Sequence, residues 1–274
     1  MQRVVVVGLG EVGRPLYEII AESGKYEVYG YDVDKAKTIH GLNDIPKGID
    51  FLHIAIPYGS RFVDVVVEYV DMWRPSAIVI HSTVAPGTTR RIFERVGIPT
   101  AYSPVRGKHP NLKKHLRFWT KWVAVLPKDS EDIIVNHLQS LGFNTVVSPD
   151  PESLELAKLW ETVYRAIMIA SWQELHRIAL RVGADIGVVA EFVREVHEVL
   201  RDRPIYFPGF IGGHCLIPNT RILNEVYKSK LLEFVLESNE LRAKELEDER
   251  VREGVEKVKK VAEKVINLDY YRDP

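Results

Sequence analysis

The chain has 274 residues, 46% of them hydrophobic and 27% charged, with a formal net charge of −1. That balance supplies a core and a solvated surface, and it gives no electrostatic case for nucleic acid or a membrane surface as partner. The single cysteine, Cys215, excludes an intramolecular disulfide and a Cys-rich metal pattern, and no apolar run approaches the ~18 residues of a membrane span, so no metal and no membrane partner are expected.

Val4 to Val7 are four β-branched residues in a row, the pattern of a strand buried on both faces. Gly8-Leu9-Gly10-Glu11-Val12-Gly13 follows with the G-x-G-x-x-G spacing. Gly8 permits a tight turn, Gly10 lets a pyrophosphate approach the backbone, and Gly13 lets the next helix pack closely on the strand. That helix, from about Val12 to Ser23, points its N-terminal N–H groups at the phosphates. A second strand, Glu27 to Tyr31, ends at Asp32 and Val33; a carboxylate there suits the ribose hydroxyls of NAD, while Lys35 and Lys37 leave some tolerance of NADP.

Further strands are expected over Ile49 to Pro57, Ala77 to His81, Ile98 to Tyr102, Lys121 to Leu126 and Asn144 to Val147, with helices between. The alternation implies an α/β fold: an N-terminal NAD-binding Rossmann domain over 1–149 with a doubly wound, mainly parallel sheet, its ligands at the carboxyl ends of the strands. Pro57 and the run Ser82-Thr83-Val84-Ala85-Pro86-Gly87-Thr88-Thr89 sit at such ends. Between the fifth and sixth strands, Arg106, Lys108, His109, Lys113, Lys114, His115 and Arg117 form a basic loop that can hold phosphate or carboxylate, or simply be solvated.

Residues 150–274 are expected to form an all-α domain. Asp150-Pro151-Glu152 starts a helix that runs without a breaker to about Val182, roughly 45 Å at 1.5 Å per residue, long enough to carry a homodimer interface. A second helix spans about Ile186 to Leu200. A glycine-rich loop, Phe207 to Asn219, leads into a charged helical stretch from about Thr220 to Val265 that either packs on the core or meets a partner. The chain opens directly into a strand without a signal-peptide pattern, so a cytoplasmic protein is expected, and its three glutamines beside many Glu, Lys and Arg residues point toward a thermophile.

Residues 1–240 resemble the UDP-glucose/GDP-mannose dehydrogenase family through four segments in matching order: Gly8 to Gly13, Ser82 to Thr89, Leu156-Ala157-Lys158-Leu159, and Gly212-Gly213-His214-Cys215. Such enzymes oxidise a sugar-nucleotide alcohol to a carboxylate in two NAD-dependent steps. The resemblance implies Cys215 as the nucleophile that traps the aldehyde, with Gly212 and Gly213 admitting substrate and His214 beside the sulfur. It implies Lys158 as the cation that stabilises a developing alkoxide, and Thr83 near the nicotinamide. On the residues alone, Cys215 also suits a buried structural thiol, Lys158 a snorkelling surface lysine, and Thr83 a helix cap.

Three positions depart from the pattern. Val105 stands where the family has glutamate, Thr162 where it has asparagine, and Asn219 where it has aspartate. Losing two carboxylates bears on thioester hydrolysis more than on oxidation. A further nucleotide-binding domain is also expected of the family and is not visible after Asn219, which favours a smaller sugar-derived or other anionic substrate. Two alternatives stay open: a β-hydroxyacid dehydrogenase that relies on Lys158 and needs no cysteine, and an NAD-binding sensor or scaffold without turnover.

Overall fold

The structure is a computed structural model that describes residues 1–108 and 110–266. It divides into two compact units, one comprising residues 1–158 and the other beginning at Leu159. His109, one of the expected substrate-binding residues, lies outside the described residues.

The first unit is built on seven strands: β1 (Gln2–Val7), β2 (Tyr26–Tyr31), β3 (Phe51–Ile54), β4 (Ala77–Ile80), β5 (Thr100–Tyr102), β6 (Lys121–Leu126) and β7 (Thr145–Val147). Their order in the sheet is β2-β1-β3-β4-β5-β6-β7. The chain steps from β1 to one side, then returns to β3 on the other, so the switch point where doubly wound sheets bind ligands lies between β1 and β3. Pairings from β2 through β5 are parallel, as the alternation requires.

Strand β6 instead runs antiparallel to β5 and parallel to β7. The connection between β5 and β6 explains the reversal: it contains only the seven-residue helix α4 (Leu112–Phe118), and the chain re-enters the sheet at the edge it left. This helix occupies most of the second half of the expected basic loop. Its Lys113 pairs with Glu18 and Glu22, and Arg117 with Glu22, all on α1 (Gly13–Glu22).

Two hydrophobic layers sandwich the sheet. On one face Leu16 and Ile20 of α1, Leu112 and Leu116 of α4, and Ile134 and Leu138 of α5 (Glu131–Ser140) cover Val4, Val6, Val79 and Val123. On the other, Phe62, Val66 and Trp73 of α2 (Phe62–Trp73) and Ile92 of α3 (Thr88–Val96) cover Val5, Leu52, Ile78 and Ile80. The opposite faces follow from the two-residue period of a strand.

The long helix α6 (Pro151–Val182) has 32 residues. Pro151 at its first position lacks only an N–H that would be unpaired there, and Asp150 accepts the Ser153 N–H at 2.6 Å. The second unit continues with α7 (Ile186–Leu200), α8 (Leu216–Val226), α9 (Lys230–Glu245) and α10 (Glu249–Ala262). The expected charged stretch is thus three helices. Leu232 and Val235 of α9 and Val258 and Val261 of α10 are buried against α6 and α7 side chains such as Leu159, Val163, Trp172 and Ala190. Among the described residues, no helix is long and apolar enough to cross a membrane.

Candidate active site

The first strand delivers the chain to the switch point as a turn with glycine at two places nothing else fits. Gly8 has φ +86°, and its N–H donates to Tyr31 O at 2.9 Å. A Cβ on Gly13 would sit 1.7 Å from Gly8 O and 3.2 Å from Ala55 Cβ, so the helix meets the turn backbone to backbone. Around Gly10 the reverse holds: a Cβ there would meet nothing within 4 Å. Helix α1 has no side-chain cap and no acidic residue in its first turn; the Arg14 N–H donates to Gly10 O at 3.1 Å and Pro15 has no N–H, so what the helix offers an anion is chiefly its positive dipole end.

Asp32, at the end of β2, accepts the Leu9 N–H at 2.7 Å and the Asp34 N–H at 2.8 Å, one on each oxygen. It ties the glycine turn to β2, and each oxygen keeps a lone pair for a ribose hydroxyl. Leu9 is buried, Val12 half-buried, and Glu11 and Val33 exposed. Pro57 is exposed two residues beyond Ala55, the residue that touches Gly8 and Gly13. The donor set and the open space at Gly10 therefore fit a dinucleotide.

Ser82, past the carboxyl end of β4, donates to Ile56 O at 2.6 Å and ties that edge to β3. Thr83 is half-buried next to it. The rest of the motif forms the start of α3, where Glu155 of α6 acts as a cap supplied from a distance. Its Oε2 accepts the Gly87 N–H at 2.6 Å, and its Oε1 accepts the Thr89 N–H and hydroxyl at 2.8 and 2.7 Å. Burial raises the Glu155 carboxyl while these donors pull it back down. Glu155 had no signature in the sequence beyond a carboxylate in a helix's first turn. It fixes the first turn of α6, and Lys158 lies half-buried one turn further on.

The segment after β5 is spoken for locally. Val105, standing at the family's glutamate position, is buried in the core beside Leu112 and Leu116. Arg106 donates to Thr120 O at 2.6 Å and stacks over Trp119 at 4.7 Å. The Lys108 N–H donates to His115 Nδ1 at 3.0 Å. The His115 ring is buried, so the basic run is largely folded into ion pairs and packing.

In the second unit, Gly212, Gly213, His214 and Cys215 are exposed, and Gly213 has φ +78°. Cys215 is the N-cap residue of α8, and its carbonyl accepts the Asn219 N–H at 2.9 Å. Pro218 is tolerated because it falls in the first turn. Two buried side chains hold the loop that leads there. Asn239 accepts the Ile211 N–H at 2.7 Å and donates to Ile211 O at 3.2 Å, while Gln173 donates to Gly209 O at 2.8 Å. Sequence reasoning missed both, since neither belongs to a motif.

Two of the three departures from the family pattern meet. Asn219 Nδ2 donates to Thr162 Oγ1 at 2.8 Å, and that hydroxyl donates to Leu159 O at 2.9 Å. Both residues are buried. A neutral amide–hydroxyl pair here is self-satisfying and has no charge to desolvate. Among the described residues, no group of three or more His, Cys, Asp or Glu side chains is arranged to hold a metal ion.

Residues 152–241, which include Lys158, Thr162, Cys215 and Asn219, match the UDP-glucose/GDP-mannose dehydrogenase family, central domain. Over that stretch the chain is similar to this family. It is similar to UDP-N-acetyl-D-mannosamine dehydrogenase of Methanocaldococcus jannaschii, with 24% identity over 97% of this chain and 70% of that protein. It is similar also to the enzyme of that name from Methanococcus maripaludis, with 26% identity over 79% of this chain and 60% of the relative. The chain therefore spans 60% to 70% of the length of those two relatives. Its fold is shared with a UDP-D-ManNAc dehydrogenase structure from Pyrococcus horikoshii, at TM-score 0.75 and 20% identity over 87% of this chain and 68% of that one. The fold is shared too with 3-hydroxyisobutyrate dehydrogenase of Mycobacterium tuberculosis, at TM-score 0.62 and 15% identity over 95% of this chain and 99% of that one.

Proposed function

We propose that this protein is an NAD-dependent oxidoreductase that acts on a CH–OH group of a sugar-derived, anionic substrate. The observation that carries the reading is the turn from Gly8 to Gly13, open at Gly10, tied to Asp32 and ending on an uncapped helix N-terminus. NAD bound there would accept the hydride removed from the alcohol carbon. The protein's own residues supply the rest. The α1 N-terminus holds the pyrophosphate and Asp32 the ribose hydroxyls. Lys158 offers a positive charge to an oxygen that becomes an alkoxide as its proton leaves. Cys215 sits exposed at the positive end of the α8 dipole, a setting that favours a sulfur anion able to add to an aldehyde.

The Thr162–Asn219 pair and the burial of Val105 leave carboxylates at neither of the positions that favour thioester hydrolysis, which supports a single oxidation. A homodimer through α6 is supported by Leu156, Trp160 and Tyr164, which form an exposed apolar stripe at four-residue spacing. A second reading, a β-hydroxyacid dehydrogenase, draws on the near-complete coverage of the 3-hydroxyisobutyrate dehydrogenase structure.

Turnover of NAD with a panel of nucleotide sugars, phosphorylated sugars and 3-hydroxyacids tests the proposal, together with Cys215→Ala. We expect NADH formation on a sugar-derived alcohol, one NADH per substrate, and a large loss of net turnover in Cys215→Ala, because an aldehyde left untrapped takes the hydride back. Unchanged turnover in that variant on a 3-hydroxyacid selects the second reading. Binding of NAD with no turnover on any substrate overturns the enzyme assignment.

A further inference from the structure

Between the sheet and helices α1, α4 and α5, the first unit buries a chain of polar groups that the proposed reaction does not use. The strand period puts them on one face: His53 with Phe51 on β3, His81 in phase with Val79 of β4, and Lys121 with Val123 on β6. Lys121 Nζ donates to Ser103 O at 2.7 Å and Pro104 O at 3.0 Å, and lies 3.2 Å from His81 Nδ1. His81 Nδ1 is 2.7 Å from Ser103 O, and His81 Nε2 is 2.8 Å from His53 Nδ1. His53 Nε2 is in turn 2.9 Å from Nε2 of His137 on α5. His53 is 0% exposed, His81 2%, and Lys121 and His137 3% each.

The two ends of this chain reach opposite edges of the sheet. Lys121 sits beside the carboxyl end of β5. His137 lines a cavity of about 300 Å³ with Gln2, Tyr26 and Phe51, which begin β1, β2 and β3. His137 Nδ1 has no protein hydrogen-bond partner among the described residues. The charged and titratable groups around the path are Lys158 and Arg106, whose charges act on Lys121, and Tyr26, whose ring stands edge-on to His137.

Two proton arrays are open to this chain; the second satisfies every distance, whereas the first sets the His81 Nδ1 lone pair 2.7 Å from Ser103 O and is the higher in energy. If the Lys121 ammonium donates to His81 Nδ1, the ring protons lie on His81 Nε2, His53 Nε2 and His137 Nδ1. If Lys121 is a neutral amine, His81 Nδ1–H donates to Ser103 O, His53 Nδ1–H to His81 Nε2, and His137 Nε2–H to His53 Nε2. One proton shift per link converts the first array into the second. Lys121 gives a proton to His81 Nδ1, His81 gives its Nε2 proton to His53 Nδ1, and His53 gives its Nε2 proton to His137 Nε2. His137 Nδ1 is buried at rest, so a side-chain motion must admit water from the neighbouring cavity before that water takes the Nδ1 proton. One proton leaves Lys121 and one enters solvent, the neutral amine then takes up the proton that leaves the alcohol, and no electrons are transferred. Burial keeps the imidazoles neutral, with the Lys121 charge adding to the effect at His53 and His81. Burial, then the charges of Lys158 and Arg106, hold the Lys121 ammonium well below the ordinary lysine value, so it is a group able to give up a proton.

We propose that Lys121, His81, His53 and His137 form a proton relay that carries the proton set free by alcohol oxidation from the carboxyl edge of the sheet to solvent at the opposite edge. The source of the proton rests on the dehydrogenase reading; the path does not. Two experiments on the full chain separate them. Nitrogen-15 NMR of ring-labelled histidines, without substrate, follows the three tautomers from about pH 5 to about pH 10. We expect them to invert together at one midpoint, and Lys121→Met to lock the neutral-amine array. Tautomers that change independently, or none that changes, overturn the relay. In the second experiment, stopped flow with a pH-indicator dye follows one turnover. We expect proton release to accompany NADH in the wild type, to lag about tenfold in His137→Phe, and to recover with added imidazole. Identical timing in wild type and variant overturns the relay. Absence of NADH in the wild type overturns the reaction instead, and the tautomer measurement still decides the path.

Discussion

Gly10 and Gly13 belong to one motif and do different work. At Gly13 a methyl group would overlap Gly8 O at 1.7 Å, a contact with backbone on both sides that no rotamer can relieve. At Gly10 a methyl group meets no protein atom within 4 Å, so its space is reserved for something the protein binds. Gly13→Ala should therefore lose several kcal/mol of stability, on the order of 3. Gly10→Ala should melt within a degree or two of wild type while NAD affinity falls about tenfold or more. Calorimetry for melting and fluorescence titration for NAD measure the two effects. A Gly10→Ala protein that binds NAD normally would remove the pyrophosphate from this turn. The spacing alone located these residues, because a turn of six residues is a local object. It could not rank them, since the clash at Gly13 depends on β3 and on Gly8's own carbonyl.

At the level of elements, legibility followed how local each cause was. Strand β1, helix α1 and the long α6 could be read directly, as their patterns are continuous. The direction of β6 could not, because it depends on which sheet edge the chain re-enters after β5. Helix α4 was hidden inside a basic run, since seven residues show little periodicity and its lysine and arginine are paired to α1. The histidine chain was invisible for the same reason: it draws single residues from two strand ends, a third strand and a helix. Thr162 and Asn219 were each visible as a departure; only the fold shows them bonded to one another. Glu155 joins two elements that are more than sixty residues apart, capping α3 from α6 with both oxygens. Glu155→Gln keeps the shape but exchanges one acceptor for a donor that faces an N–H. That change should cost about 1–3 kcal/mol in urea unfolding and lower the activity that depends on Lys158, one turn away. Unchanged stability would mean that α3 finds another cap.

Across the whole molecule, the buried bases set how stability responds to pH. His53, His81 and His137 are all held below the ordinary imidazole value by burial, His137 at about 3, and in the second unit His176 is lowered to about 4 by burial and by Arg242. Above about pH 6.5 the folded and unfolded chains both carry these rings neutral, and their contribution is fully present. As pH falls below that, the unfolded chain takes up protons that the folded chain refuses, at about 1.4 kcal/mol per pH unit for each ring. The window from about pH 6.5 to about pH 5 lies above most carboxylates, so a fall in stability there reports the histidines. Lys121 acts in the same direction on the alkaline side: below about pH 10.4 the unfolded lysine binds a proton that its buried counterpart resists, so stability climbs with pH toward that value. Tyr69, pushed up to about 12 by burial, and Tyr102, also raised by burial, reverse the trend, because above about pH 10 the unfolded tyrosines ionise first. The melting temperature should therefore rise from about pH 5 through neutrality and turn over only near pH ~10, far from the sequence isoelectric point of ≈ 6.8. His137→Phe should flatten the acid limb and Lys121→Met the alkaline one. A melting temperature that is level between about pH 6.5 and about pH 5 would mean that these rings are protonated in the fold, and with that the neutral histidine chain would be gone.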